Sequence, residues 1–237
     1  AINYEMPMAS AQVKSAILLA GMYADSKTIV TEPYVSRDHT EKMFETFGVE
    51  LYKEGTSVGI QKVEQLISPE TLEVPGDISS AAFWLVAASI IPNSNLTLKN
   101  VGVNKTRTGI IDVLLNMGAD IKVVNERMSG KEPMADLIVK SAKLKGTSFG
   151  AEIMPRLIDE IPVIAVAAMF AEGKTIITGA EELRVKETDR LSAVVNEFSK
   201  MGGNIVGTED GLIIEATGKL NKANCYSYHD HRIAMAL

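Results

Sequence analysis

Between Arg184 and Leu191 the sequence reads RVKETDRL, which places three cations, Arg184, Lys186 and Arg190, around two acids, Glu187 and Asp189. The run opens into Leu191, Val194, Val195, Phe198 and Met201, the i, i+3, i+4, i+7 stripe of an amphipathic helix ending at Gly202. Thr188 is the expected cap. The exposed N–H groups and the macrodipole of a helix start favour anions. Cations gathered there are either a solvated surface or half of a site whose other half is an anion.

Other stretches offer matching chemistry. Asp159-Glu160 precedes an Ala-rich helix with Pro162 in its first turn, so Asp159 reads as an N-cap or as a carboxylate aimed at a hydroxyl as general base. Ser10-Ala11-Gln12 opens another Ala-rich helix with hydroxyl, amide and free N–H donors suited to a phosphate or polyol, although Ser10 as a plain cap also accounts for it. Ser36-Arg37 repeats the theme ahead of Asp38 and Glu41, a D-x-x-E capping pattern. His229-Asp230-His231-Arg232 lacks a second ligand cluster, with only His39 elsewhere, and is not read as a metal site. Glu172-Gly173-Lys174-Thr175 imitates the end of a P-loop, but it leaves a helix for a strand, the reverse of the P-loop order.

The elements that must position these residues recur. Phe47-Gly48-Val49, Met117-Gly118-Ala119 and Met201-Gly202-Gly203 are three helix ends with Gly at C′, their glycines 70 and 84 residues apart. Each of these helices starts with an arginine nearby: Arg37, Arg107 and the RVKETDRL run. An earlier Ala-rich helix also recurs, over Ser10–Tyr23, Ser79–Ile90 and Asp159–Phe170, and reads as packed on both sides. With strands around 3–6, 72–74 and 149–153 before it, one after it and two after the second helix, the unit is βαβαββ, three times over. The expected architecture is α/β, with a boundary at Pro75-Gly76. Residues 125–135 and 216–224 read as polar loops, and 226–237 as a fresh strand-to-helix step.

The 46% apolar and 23% charged composition is that of an ordinary globular chain, and the formal charge of −6 comes without any basic block. That argues against nucleic acid as a partner, and no apolar run is long enough to span a membrane. A single cysteine, Cys225, excludes an internal disulfide and points to a reducing, cytoplasmic setting. It reads as a buried inert thiol. The chain begins at Ala1 and stops inside an apparent helix, so it reads as a piece of something longer.

Four motifs, SAQVKSA (10–16), SRDHTEKM (36–43), RVKETDRL (184–191) and DHRIAMA (230–236), together resemble the EPSP synthase family. The resemblance extends over essentially the whole chain, and the first two motifs look like the bacterial group often described as glyphosate-tolerant. It implies the enolpyruvyl transferase fold, an inside-out α/β barrel of repeated βαβαββ units. Residues 1–74 would then be the last unit of a first domain, and 75–237 two units of an incomplete second. It further implies transfer of the enolpyruvyl group of phosphoenolpyruvate to the 5-hydroxyl of shikimate 3-phosphate, without metal or organic cofactor, by a monomeric parent that glyphosate inhibits.

By the same resemblance Ser10, Ala11, Gln12, Ser36 and Arg37 bind shikimate 3-phosphate. Asp159 is the base at its 5-hydroxyl, with Lys186 beside it. Glu187 handles the proton at C3 of phosphoenolpyruvate, and Arg190 and Arg232, with His231 adjacent, hold that substrate. Two departures follow. Several of the family's binding segments fall outside these residues, so this stretch alone is expected to bind weakly and not turn over. Position 182 is Glu where some members carry a polar amide. A sister transferase acting on UDP-N-acetylglucosamine shares the fold, but SAQVKSA and RVKETDR argue against it. A non-catalytic repeat module would leave Asp159, Lys186, Arg190 and Arg232 apart.

Overall fold

The computed structural model describes all of residues 1–237. The first unit contains β1 (Ile2–Glu5), α1 (Ala11–Gly21), β2 (Thr28–Thr31), α2 (His39–Thr46), β3 (Tyr52–Glu54) and β4 (Ser57–Ile60). The second contains α3 (Ile78–Ile90), β5 (Asn95–Gly102), α4 (Gly109–Asn116), β6 (Asp120–Ser129) and β7 (Glu132–Lys140). The third contains β8 (Ser148–Phe149), α5 (Ile161–Phe170), β9 (Lys174–Ile177), α6 (Arg190–Lys200), β10 (Asn204–Gly207) and β11 (Leu212–Glu215), followed by α7 (His231–Ala236).

Each unit forms its own sheet. The order is β1-β2-β4-β3 in the first and β8-β9-β11-β10 in the third, with one parallel pair followed by antiparallel ones in both. The second sheet has only three strands, β5-β7-β6. The expected strand over 72–74 does not form, and a single parallel bridge from Gly76 to Val101 stands in its place. The reason is local. The Glu73 N–H donates to Ser129 Oγ, which in turn donates to the Glu73 carbonyl, so a side chain takes the bonds a ladder would need. Pro75 then removes the next donor.

The three helix ends with Gly at C′ form as read. Gly48, Gly118 and Gly202 have φ of +79°, +91° and +81°. At each, the following N–H reaches back five residues: Val49 to the Phe44 carbonyl, Ala119 to Leu114 and Gly203 to Phe198, at 2.9, 2.9 and 2.8 Å. This is the Schellman closure that a left-handed C′ permits, and it turns each chain from helix into strand.

Burial follows the units unevenly. α3 and α5 pack on each other and are buried on most of their surface, as their apolar sequences require. α7 joins them, so helices fill the middle and the sheets lie outside. α1 departs from the expectation of burial on both sides. It packs mainly on β2 and β4 of its own sheet, and Val13 and Leu19 remain 43% and 50% exposed. Buried apolar residues accordingly form two clusters, one of 39 residues in the second and third units and one of 7 in the first.

Three further expectations are corrected. Residues 125–135 are not a loop: β6 bulges near Asn125, which has positive φ, then pairs again through Arg127–Met134 and Ser129–Glu132. No strand forms at the start of 226–237, because the Tyr226 N–H and the Tyr228 hydroxyl are both bound by buried Glu197. Cys225, just before them, is exposed rather than buried.

Gly118→Ala is expected to destabilise the chain by about 1 kcal/mol, because its Cβ would meet only the Lys143 carbonyl, at an ordinary van der Waals distance of 3.7 Å, but its backbone conformation disfavours any L side chain. Urea unfolding measures this, and an unchanged midpoint would contradict the backbone argument.

Candidate active site

The starts of α5, α6 and α7 meet at one guanidinium. Arg190, the first residue of α6, is 1% exposed. Its Nε donates to Asp230 Oδ2 at 2.7 Å, its Nη1 to Asp159 Oδ1 at 3.2 Å and its Nη2 to Glu187 Oε2 at 2.5 Å. Each nitrogen thus meets a carboxylate from a different segment, which is how a guanidinium can be taken out of water.

Local sequence puts the three acids there. Asp230 is buried and caps α7, its other oxygen accepting the Arg232 and Ile233 N–H groups. Glu197 on α6 places the preceding segment by holding Tyr226 and Tyr228. With both oxygens of Asp230 engaged and His229 bonded to the Tyr226 hydroxyl, the His-Asp-His run serves structure here. Asp189, not Thr188, caps α6: it accepts the Ser192 N–H at 3.0 Å and is flanked by Arg184 at 2.9 Å. The cap falls one residue later than expected because Arg184, also bonded to the Thr208 and Glu209 carbonyls, balances the carboxylate there.

Asp159 is not an N-cap. It lies in the short 3-10 turn Ile158–Glu160 ahead of α5, and its side chain faces three arginines. Arg37 Nη2 lies 2.5 Å from Oδ2, Arg190 Nη1 3.2 Å from Oδ1 and Arg232 Nη2 4.0 Å from Oδ2. Burial acts to raise this carboxyl, but the hydrogen bond from Arg37 and the charges of Arg37, Arg232 and Arg190 outweigh it and hold the pKa at about 2. Neighbouring Glu160 goes the other way. It is 1% exposed, neither oxygen has a hydrogen bond, Arg232 comes no closer than 3.9 Å, and burial together with the Asp159 charge pushes its carboxyl up.

The second unit contributes a parallel arrangement. Arg107 bonds Asp77, the cap of α3, at 3.0 Å and Ser79 at 2.6 Å. Asp77 and Arg107 are 30 residues apart and Asp159 and Arg190 are 31 apart, so the same Asp-to-Arg bridge ties first to second helix in both units. That spacing is the signal that could have exposed the bridge in the sequence. Burial and the like charge of Arg37 lower the Arg107 guanidinium from its ordinary value.

The first unit reaches this site through Arg37. Around that contact its links to the second unit are polar: Asp38 to Asn104 at 2.7 Å, His39 to Glu132 at 2.7 Å, and Thr46 Oγ1 accepting the Lys131 N–H at 3.0 Å. Asp38 and Glu41 do not form the capping pair. Asp38 is turned to Asn104 and Lys42, and Glu41 to Lys14. Ser36 is buried, with its hydroxyl unpartnered. Ser10 caps α1 through a long 3.4 Å contact with the Val13 N–H, beside part-buried Ala11 and exposed Gln12.

Of the expected site residues, Asp159, Glu187, Arg190, Arg232 and Arg37 come together. Lys186 does not contact Asp159; it pairs with Glu182, four residues earlier. His231 is exposed at the start of α7. A carboxylate encircled by arginines that each keep further donors can accept a proton while anions are held close by.

A carboxyl held at about 2 stabilises the fold at pH values above its ordinary 3.8, and that contribution is lost as the pH falls through 2. Between pH 5 and pH 2 the chain should therefore lose about 2 kcal/mol more than its Asp159→Asn variant, which has no such titration. Urea unfolding across that range tests this, and parallel losses would contradict it.

A family model described as EPSP synthase (3-phosphoshikimate 1-carboxyvinyltransferase) matches residues 1–237. Curated proteins named 3-phosphoshikimate 1-carboxyvinyltransferase are 56% identical in Thermoanaerobacter sp. (strain X514) and 52% identical in Geobacter sulfurreducens, each across 100% of this chain and 56% and 55% of the relative. A solved EPSP synthase from Acinetobacter baumannii superposes with a TM-score of 0.92 at 47% identity, covering 99% of this chain and 54% of that one. The chain thus spans about half the length of the curated relatives it matches, and its three sheets around buried helices are those of the α/β enolpyruvyl transferase fold. Matched along its entire length by family, sequence and structure, the chain belongs to the EPSP synthase (3-phosphoshikimate 1-carboxyvinyltransferase) family.

Proposed function

We propose that the full-length protein transfers the enolpyruvyl group of phosphoenolpyruvate to the 5-hydroxyl of shikimate 3-phosphate and releases phosphate. The observation that carries this reading is the convergence of Arg37, Arg190 and Arg232 on the Asp159 carboxylate. Both substrates are polyanions, and an addition followed by an elimination needs a base and an acid among fixed cations.

Asp159 takes the proton of the 5-hydroxyl as its oxygen bonds to C2 of phosphoenolpyruvate, while Glu187 delivers a proton to C3. Glu187 then removes a proton from C3 as the C2–O bond to phosphate breaks. Arg190 and Arg232 hold the phosphoenolpyruvate carboxylate and phosphate, with His231 adjacent. Ser10, the Ala11 backbone, Gln12, Ser36 and Arg37 bind shikimate 3-phosphate.

Arg37 links the two halves of this reading. While it bonds Asp159 the carboxylate is a poor base, with a pKa of about 2. Drawn off by the substrate phosphate, it releases Asp159 to accept the hydroxyl proton more readily. Lys186 belongs beside the 5-hydroxyl, which requires it to leave Glu182. Lys186 offsets Glu182 while the two stay paired, so the role of position 182 differs from that of a polar amide.

Residues 1–74 belong to one domain and 75–237 to another, a division supported by the two apolar clusters and the polar links between them. No helix is long and apolar enough to cross a membrane; a cytoplasmic monomer that glyphosate inhibits is the reading that accords with the family.

In the full-length enzyme, phosphate release from phosphoenolpyruvate should depend on added shikimate 3-phosphate. Asp159→Ala should lower kcat by a factor of about 10²–10⁴. Absence of release, or equal release by the variant, would reject the mechanism.

A further inference from the structure

The first two motifs each contain a charged residue that the reaction leaves unused and the fold buries: Lys14 in SAQVKSA and Glu41 in SRDHTEKM. They meet. Lys14 Nζ lies 2.7 Å from Glu41 Oε1 and 2.8 Å from Glu32 Oε2, and all three side chains are only 1–2% exposed. A helical side chain leans towards its own N-terminus, so Lys14 reaches back under the first turn of α1. There it joins the residue just beyond β2 to the first turn of α2. A second contact, between the Ser15 and Thr40 hydroxyls at 2.6 Å, ties the same two helices.

Stability alone does not explain this cluster. Two carboxylates share one ammonium, and Glu32 Oε1 and Glu41 Oε2 are buried with no partner. Apolar side chains of similar volume commonly stabilise such a place at least as well. What the ions add is direction. Glu32 Oε2, fixed by Lys14, also accepts the Ser36 N–H at 3.3 Å. That bond sets the course of 33–36, buries the unpartnered Ser36 hydroxyl and leads directly into Arg37. Ser10 to Gln12 lie one turn before Lys14 on the same helix.

We propose that Lys14, Glu32 and Glu41 are positioning residues for shikimate 3-phosphate, holding Ser36 and Arg37 in register with the start of α1. This rests on the assignment of that substrate to Ser10, Ala11, Gln12, Ser36 and Arg37. The cluster touches no reacting atom, so it acts through binding of one substrate and not through the chemical step.

The test uses the full-length enzyme with two variants. Glu32→Gln keeps shape and removes the charge; Lys14→Met/Glu32→Leu/Glu41→Leu replaces the cluster with apolar volume and protects against mere failure to fold. Both should raise the KM and the calorimetric Kd for shikimate 3-phosphate about tenfold or more, the worth of one charge-assisted bond. The KM for phosphoenolpyruvate should stay within about twofold, and the triple variant should still unfold cooperatively. An unchanged affinity for shikimate 3-phosphate, or equal loss for both substrates, would overturn the proposal. An unsubstituted enzyme that binds shikimate 3-phosphate normally but releases no phosphate would instead reject the enolpyruvyl transfer reading while leaving the binding comparison intact.

Discussion

Burying one guanidinium sets the terms for the second and third units. Arg190 loses its water, at a cost of several kcal/mol if left unpaired, and recovers it only where Asp159, Glu187 and Asp230 come together. Those acids sit before α5, before α6 and at the cap of α7. Satisfying one side chain therefore fixes three helix starts at one place. The apolar helices α3 and α5 and the three Schellman turns supply the framework that allows this, but they do not select the point of convergence.

The same electrostatics extends through the residues around it. Five acids, Asp77, Asp159, Glu160, Glu187 and Asp230, interleave with Arg37, Arg107, Arg190 and Arg232. Near neighbours among them are driven apart: Asp159 is lowered to about 2 while adjacent Glu160 is raised. Arg37 is the member of this group that comes from the first unit, across an interface made of polar contacts. Polar interfaces between parts of a chain separate more readily than apolar ones. On the proposed function, a substrate anion that competes for Arg37 would alter both the basicity of Asp159 and the hold of the first unit on the rest.

Much of this was legible in the sequence because it depends on residue types that have few alternatives. A left-handed C′ position calls for glycine, and Gly48, Gly118 and Gly202 marked the repeat. Four motifs in order carried the family. What was not legible depended on partners distant in the chain. Nothing near 72–74 announces that Ser129 will take its backbone bonds. Asp189 displaces Thr188 as cap through contacts of Arg184 with 208–209. Lys14 carries no local sign of its partners, and only the fold brings Glu32 and Glu41 to it. Lys186, placed beside Asp159 by resemblance, is taken by Glu182 four residues earlier.

On the proposed function, Arg37 and the substrate phosphate compete for the same ionic contact, and Asp159 becomes an effective base when Arg37 is drawn away. The most direct measurement is a crystal structure of the full-length enzyme with shikimate 3-phosphate bound. Arg37 should then bond the phosphate, with the Asp159 carboxylate facing the 5-hydroxyl within hydrogen-bond distance. Arg37 still paired with Asp159, and the 5-hydroxyl directed elsewhere, would contradict it.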